Sequence, residues 1–374
     1  MGMEKIYLAS PHMSDEGFER EFVKEAFDTN WIAPLGHNVN EFENELSKMV
    51  GIDYALALDS GTSAIHLALK AAGVGEGDIV FCQSLTFSAT ANPIRYEKAI
   101  PVFIDSERVT WNMDPELLEQ AFEKYAPKAV IVVHLYGVSS KIDQIKEICD
   151  KHGVALIEDA AESLGTIFKG QWTGTFGDYG IYSFNGNKII TTSGGGMLVS
   201  NHKDGIDKAR YWATQARDAV LHYEHKDIGY NYRLSNISAG IGRGQLKILS
   251  DRIEKKRAIY HRYRDAFKDI DEIEMLPEHD YERANYWLSA FQIHSEKITP
   301  QTIIDVLNEA NIESRPVWKP MHMQPVFEDC DFIGGDVAQS LYENGVCLPS
   351  DSKMTEEQQD RVIEGIRKTF LNNF

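Results

Sequence analysis

Lys188 stands in Ser183-Phe184-Asn185-Gly186-Asn187-Lys188-Ile189-Ile190-Thr191-Thr192, directly before the turn Ser193-Gly194-Gly195-Gly196. Its apolar flanks read as two buried strand-like runs. A lysine among them is desolvated, and a desolvated ammonium gives up its proton readily. A neutral amine attacks carbonyls, so the position suits Schiff-base chemistry with a ketone or an aldehyde. An ordinary surface lysine at a strand end is the alternative for Lys188 taken alone.

Other reactive types fall near the ends of strand-like runs. Asp59-Ser60-Gly61-Thr62-Ser63 leads straight into the helical pattern Ala64-Ile65-His66-Leu67-Ala68-Leu69. Such a hydroxyl-rich helix start offers free N–H groups to a phosphate, although Ser and Thr are also routine caps. Asp159, in Ile157-Glu158-Asp159-Ala160-Ala161-Glu162, either caps a helix or pairs with a protonated ring nitrogen. Phe87, after Gln83-Ser84-Leu85-Thr86, either fills the core or stacks on a flat ring. Ser183 can add a hydroxyl to a phosphate site.

Elements that position these residues alternate along the chain. Residues 54–58, 79–82, 101–104, 129–134 and 154–158 read as strands, and 61–73, 88–97, 114–126, 139–152 and 203–216 as helices. The alternation predicts an α/β fold with a mostly parallel sheet and helices on both faces. Ligands then sit beyond the carboxyl ends of strands. Past residue 236 the pattern becomes one long charged helix, with 251–257 as a solvated face, and then shorter mixed elements. A large domain over 1–248 and a small one over 249–374 are expected from this change and from the length of 374 residues.

Charge and cysteine usage exclude other classes. A net charge of −19 disfavours nucleic acid and anionic membranes, so a phosphate ligand must be met by local cations and backbone amides. Cys82, Cys149, Cys330 and Cys347 are scattered, with no metal-ligand spacing, so no metal site and no disulfide are expected. No leader of basic-then-apolar type and no run near the roughly 18 apolar residues of a membrane span occur, so a cytoplasmic location is expected. Met1-Gly2 precedes Ile6 where an acylation motif wants Ser or Thr, and reads as an expression scar.

Five segments together resemble one family. Trp31-Ile32-Ala33-Pro34-Leu35-Gly36, Ser60-Gly61-Thr62-Ser63-Ala64, Glu158-Asp159-Ala160-Ala161-Glu162, Ser183 to Lys188, and Gly229-Tyr230-Asn231-Tyr232-Arg233-Leu234-Ser235-Asn236 are similar to the DegT/DnrJ/EryC1/StrS nucleotide-sugar aminotransferases. These are fold type I pyridoxal 5'-phosphate enzymes. The resemblance runs from about residue 6 to 370 and implies a mostly parallel, seven-stranded-type sheet sandwiched by helices, with a smaller C-terminal α+β domain. Pro11-His12-Met13 and Arg315-Pro316-Val317-Trp318-Lys319-Pro320-Met321-His322 look most like the EpsN-like and bacillosamine-type branch that makes UDP-linked 4-amino sugars.

The resemblance also implies roles. Lys188 would bond the cofactor and shuttle the proton. Asp159 would pair with the ring nitrogen, Phe87 would stack on the ring, and Glu162 would lie near the ring hydroxyl, where the family often has glutamine. Gly61, Thr62, Ser63 and Ser183 would hold the phosphate, with Asn231 reaching in from the other subunit of a homodimer. Arg233 would meet the substrate diphosphate or form a structural ion pair. Trp31 and His322 would touch the sugar or nucleotide, and packing is the alternative for both. L-Glutamate would donate the amine to a UDP-linked 4-keto sugar. Three rivals follow: a sugar 3-dehydratase, which carries histidine in place of this lysine; a binding protein without turnover; and an aminotransferase for another base or for a 3-keto sugar.

Overall fold

Short β-branched runs bounded by turn residues pair into the central sheet, and the amphipathic segments between them cover its faces. The computed structural model describes residues 4–371, and the Met1-Gly2 dipeptide lies outside them. Two helices, α1 (Phe18–Asp28) and α2 (His37–Val50), precede the alternation. It runs β1 (Tyr54–Leu58), α3 (Gly61–Ala71), β2 (Ile79–Gln83), α4 (Ser88–Tyr96), β3 (Ile100–Ile104), α5 (Pro115–Lys124), β4 (Ala129–Val133), α6 (Ile142–His152) and β5 (Ala155–Asp159). The short strands β6 (Ile167–Phe168) and β7 (Gln171–Trp172) follow, then β8 (Tyr179–Ser183), β9 (Gly196–Ser200), α7 (Lys203–Ala213) and α8 (Asn236–Leu246).

The C-terminal stretch contributes α9 (Leu249–Phe267), β10 (Ile273–Met275), β11 (Glu282–Arg283), β12 (Ser289–Ile293) and α10 (Pro300–Glu309). After these come β13 (Arg315–Pro316), β14 (Phe332–Ile333), α11 (Val337–Asn344), β15 (Gly345–Leu348) and α12 (Glu356–Leu371).

Among the described residues the large sheet has eight strands in the order β1-β9-β8-β5-β4-β2-β3-β14. All neighbours are parallel except at β9, which runs antiparallel to both β1 and β8. The eighth strand, β14, is only two residues long and comes from the C-terminal stretch, too short to leave a periodic signature. A four-stranded antiparallel sheet, β10-β12-β15-β13, packs with α9, α10 and α12 around a separate core that includes Phe291, Val346, Ile303 and Ile366. No helix among the described residues is long and apolar enough to cross a membrane. All four cysteines are free thiols.

Two expectations change in the region after residue 236. The single long helix is two helices, α8 and α9, separated at Lys247–Ile248. Glycines shape α8: a Cβ on Gly244 would lie 2.5 Å from the Glu19 backbone nitrogen, and one on Gly242 would lie 2.6 Å from the Phe42 ring. Absent side chains thus let α1 and α2 close onto it. The charge run 251–257 is only partly solvated, because Arg252 and Lys256 are buried. Arg252 donates to the backbone oxygens of His12 and Met13, and Lys256 Nζ donates to the Trp287 oxygen at 2.9 Å. The helix is wedged between the N-terminal segment and the C-terminal sheet, and its long polar stems cross that contact.

A half-buried acid with one enclosed oxygen makes stability depend on pH. Glu282 on β11 accepts from the Ser139 N–H at 2.8 Å with one carboxylate oxygen and leaves the other without a partner among the described residues. Burial is the largest influence and pushes its carboxyl up to about 8, against Arg257 nearby. A carboxyl raised on folding stabilises the fold fully below its unfolded value, and that contribution is lost as pH rises to about 8. Glu282→Gln keeps an acceptor for Ser139 and removes this loss. Thermal melts at pH 5.5 and 8.5 should show the variant gaining several degrees on wild type between the two, an effect of about 2 kcal/mol or more. An unchanged difference at the two pH values would refute it.

Candidate active site

A cavity of about 340 Å³ opens where the carboxyl ends of β1, β4, β5 and β8 meet the start of α3. Its lining includes Gly61, Thr62, Phe87, Asp159, Glu162, Ser183 and Lys188, brought together from four separate parts of the chain. Each stands at the carboxyl end of a strand or a few residues beyond one, where the sheet leaves backbone and side chains free to face a ligand.

Lys188 lies in the loop between β8 and β9. The apolar residues after it, Ile189 and Ile190, are buried without being a strand. Hydrogen bonds hold the loop closed: Phe184 N–H donates to the Gly195 oxygen, Thr192 N–H to the Phe184 oxygen, and Trp287 Nε1 to the Asn187 oxygen. Ser193 turns the chain with a φ of 75°. The expectation of sheet on both sides therefore fails after Lys188, because loop packing rather than strand pairing buries those residues. The side chain is 13% exposed, and its Nζ lies 3.1 Å from Glu162 Oε1 and 4.0 Å from the centre of the Trp287 ring.

Glu162 is buried, and its second oxygen accepts from the Tyr136 N–H at 2.8 Å. Tyr136 carries a φ of 54°, a left-handed backbone for a bulky residue that aims this N–H inward. Burial raises the Glu162 carboxyl above its usual range, and the Lys188 ammonium opposes that rise.

Asp159 ends β5, paired across to Val133 on β4 and Ile181 on β8. Its carboxylate accepts from Thr90 Oγ1 at 2.6 Å and from the Ala161 N–H at 3.1 Å. The helix expected after Asp159 does not form: one oxygen caps a turn instead, and the residue also lines the cavity. Phe87 is 58% exposed and is no core residue. Its ring stands 5.5 Å from that of Trp318, forming an aromatic side to the cavity mouth.

At the other end Ser60 caps α3 by accepting from the Ser63 N–H, which leaves the N–H groups of Gly61 and Thr62 free for an anion. Gly196 is needed here, since its Cβ would come within 2.5 Å of Ser60 and the Gly61 nitrogen. A Cβ on Gly61 would crowd Ser183 at 3.3 Å, so glycine keeps that hydroxyl against the helix end. Ser63 does not line the cavity: its Oγ donates to Asp59 at 2.5 Å. An anion-binding helix end, an exposed aromatic face, a buried carboxylate and an amine in one cavity fit a flat phosphorylated pyridine aldehyde.

The remaining predicted residues lie elsewhere in this chain. Trp31 and Arg233 line a second depression with Gly36, His37 and Asn236. The Arg233 guanidinium has no ion-pair or hydrogen-bond partner among the described residues, and burial followed by Arg210 lowers it from its usual value. Asn231 is exposed and outside the cavity. Tyr230 and Tyr232 on either side stack on each other at 4.8 Å, and Tyr232 bonds His66 on α3, which holds this segment in place. His322 sits outside the cavity lining, with Nδ1 2.6 Å from Ser84 Oγ and its ring 3.8 Å from that of Phe332.

Sequence reasoning missed Trp287, Trp318, Thr90 and Asp59, all of which line the cavity. Trp318 stood inside a quoted segment, and Asp59 directly before the helix start. Trp287 arrives from β11–β12 and had no local signal.

Comparison with known proteins agrees with this geometry. The DegT/DnrJ/EryC1/StrS aminotransferase family model matches residues 14–367. The chain is 54% identical over 376 residues to EpsN of Bacillus subtilis (strain 168), which carries a pyridoxal phosphate-dependent aminotransferase designation, covering 98% of this chain and 96% of that one. It is 35% identical to the GDP-perosamine synthase of Escherichia coli O157:H7, covering 98% and 99%. With the UDP-4-amino-4,6-dideoxy-N-acetyl-beta-L-altrosamine transaminase of Campylobacter jejuni (serotype O:23/36, strain 81-176) it shares 30% identity, covering 90% and 92%. The fold matches the pyridoxal-phosphate form of Spr1654 from Streptococcus pneumoniae with a TM-score of 0.90 at 24% identity, covering 99% and 100%. Because the family match runs through the cavity and both larger sheets, the chain belongs to the DegT/DnrJ/EryC1/StrS family and is a pyridoxal-phosphate-dependent aminotransferase.

Proposed function

We propose that the enzyme aminates carbon 4 of a UDP-linked 4-keto-6-deoxy sugar, of the 2-acetamido-4-keto-2,6-dideoxyhexose type, with L-glutamate as donor. The observation that carries this reading is the Lys188 amine standing against Glu162 in the cavity that Asp159 also lines. Bound pyridoxal phosphate supplies an electron sink that lets an amino group and its neighbouring proton be exchanged. Lys188 Nζ takes and returns that proton, a transfer of the kind that contributes about 10²- to 10⁴-fold. The free N–H groups of Gly61 and Thr62, with the Ser183 hydroxyl, would hold the cofactor's phosphate. Asp159 would pair with the ring nitrogen of the bound cofactor, and Phe87 and Trp318 would flank its ring at the cavity mouth.

Two observations support the sugar. Trp318, from the segment most like the UDP-sugar branch, lines the cavity, and Pro11 of the other such segment approaches the Lys188 loop at Gly186. The Campylobacter relative's name states a UDP-linked 4-amino-4,6-dideoxy product. A GDP-linked substrate is the second reading, favoured by 35% identity to a GDP-perosamine synthase. Asn231, exposed and outside its own cavity, supports a homodimer in which it completes the partner's phosphate site, and unpartnered Arg233 supports a diphosphate contact. Such an enzyme works in the cytoplasm and supplies amino sugars for polysaccharide or glycan assembly.

A panel of UDP-, GDP- and dTDP-linked 4-keto-6-deoxy sugars, with 3-keto counterparts and L-glutamate, tests the substrate. The UDP-linked 4-keto sugar is expected to react at least about tenfold faster than the others, a difference of about 1.4 kcal/mol in transition-state binding. Equal rates across bases would sink the UDP assignment, and a GDP-linked optimum would establish the second reading.

A further inference from the structure

Trp287 is attached to Lys188 in a way that the family roles do not use. Its indole face lies 4.0 Å from Lys188 Nζ, which also stands 3.1 Å from Glu162 Oε1. The indole is fixed from three directions: Nε1 donates to the Asn187 oxygen at 2.8 Å, the backbone N–H donates to Asn285 Oδ1 at 2.8 Å, and the backbone oxygen accepts from buried Lys256 at 2.9 Å. Asn285 is itself tied to the Glu162 and Leu164 oxygens at 2.9 Å. The two groups that contact the amine are therefore braced against each other through one asparagine.

We propose that Trp287 is the docking face for the released side chain of Lys188, holding its amine in the part of the cycle in which it is an ammonium, between taking the proton and returning it. A catalytic lysine that both bonds a cofactor and shuttles a proton spends part of each cycle released, and a released four-carbon side chain needs a defined place to wait. The indole suits that task for two reasons. Its quadrupole attracts a cation at any pH, whereas Glu162 holds one only while ionised. It also makes no directional hydrogen bond with the ammonium, so the amine can leave without breaking one. Charged groups on neighbouring elements act on the same amine: Glu162, just beyond β5, attracts it, and Lys256 from α9 repels it, while Asp159 acts on the Glu162 carboxyl beside it.

The inference rests only on Lys188 being the reactive amine of this cavity, not on the sugar or the base. Its test therefore uses the full chain freed of cofactor, with no substrate. Lys188 is labelled with formaldehyde and cyanoborohydride over pH 6 to 10, and its peptide is quantified by mass spectrometry against an exposed lysine such as Lys203 in the same digest. In Trp287→Leu the ammonium loses its face, so labelling moves to lower pH and rises about twofold to thirtyfold at a fixed pH within the titration. Trp287→Phe keeps a weaker face and falls between; it decides the matter if the leucine variant does not fold. Coincident Lys188 profiles in wild type and Trp287→Phe, or a leucine profile moved to higher pH, would overturn the proposal. A merely structural tryptophan would alter the melting temperature and leave the labelling profile where it is.

Discussion

Lys188→Ala should lower turnover by on the order of 10³-fold or more and abolish the spectral response to L-glutamate. Lys188 is the only cationic side chain among the described residues that line the cavity, so no neighbouring amine can take over its bond or its proton. Wild type reconstituted with pyridoxal phosphate should show a visible band that shifts when L-glutamate is added, and the variant should show no such shift. Folding is not at stake in this comparison. Glu162 keeps its bond from the Tyr136 N–H, and burial already favours its neutral form once the ammonium is gone. Melting curves of the two proteins should therefore lie close together. Turnover in Lys188→Ala within about tenfold of wild type would remove the covalent amine from the mechanism.

Asp159→Asn should cost the next largest amount. The substitution keeps the shape of the side chain and an oxygen for Thr90 or for the Ala161 N–H, and deletes only the charge. Removing one partner of a buried charged pair costs about 3–5 kcal/mol, which as a barrier corresponds to roughly 150- to 5,000-fold in rate. The loss should fall on kcat more than on KM for the sugar if, as proposed, the carboxylate acts on the ring nitrogen and not on the substrate. Cofactor retention, followed by fluorescence during dialysis, should weaken in parallel. Wild-type kcat in Asp159→Asn would mean that the carboxylate serves only to cap the turn after β5.

Site composition was legible in the sequence where local chemistry and strand position coincide. Asp159 and Gly61-Thr62 sit directly beyond apolar runs that pair in the central sheet, so alternation alone was enough to direct them to one edge. Phe87 could be read as core or as a stacking ring from its spacing, and only its 58% exposure decides between them. Trp287 was not legible at all. It reaches Lys188 from 99 positions away in the chain, out of the C-terminal stretch, and nothing in its own neighbourhood marks it. The solvated face expected over 251–257 failed for the same reason: charge pattern reports what a helix prefers, while the surfaces packed against α9 bury Arg252 and Lys256 regardless.

By itself, then, the sequence determined the α/β class and the family, and it singled out Lys188 and the helix start at Gly61-Thr62 as the candidate amine and phosphate site, because each rests on residues adjacent along the chain or on their order. Tertiary structure alone decided which groups contact the amine. Glu162, Trp287 and Lys256 act on Lys188 through distances of a few ångströms between elements far apart in sequence, and Coulomb and cation–π energies follow spatial separation rather than chain separation.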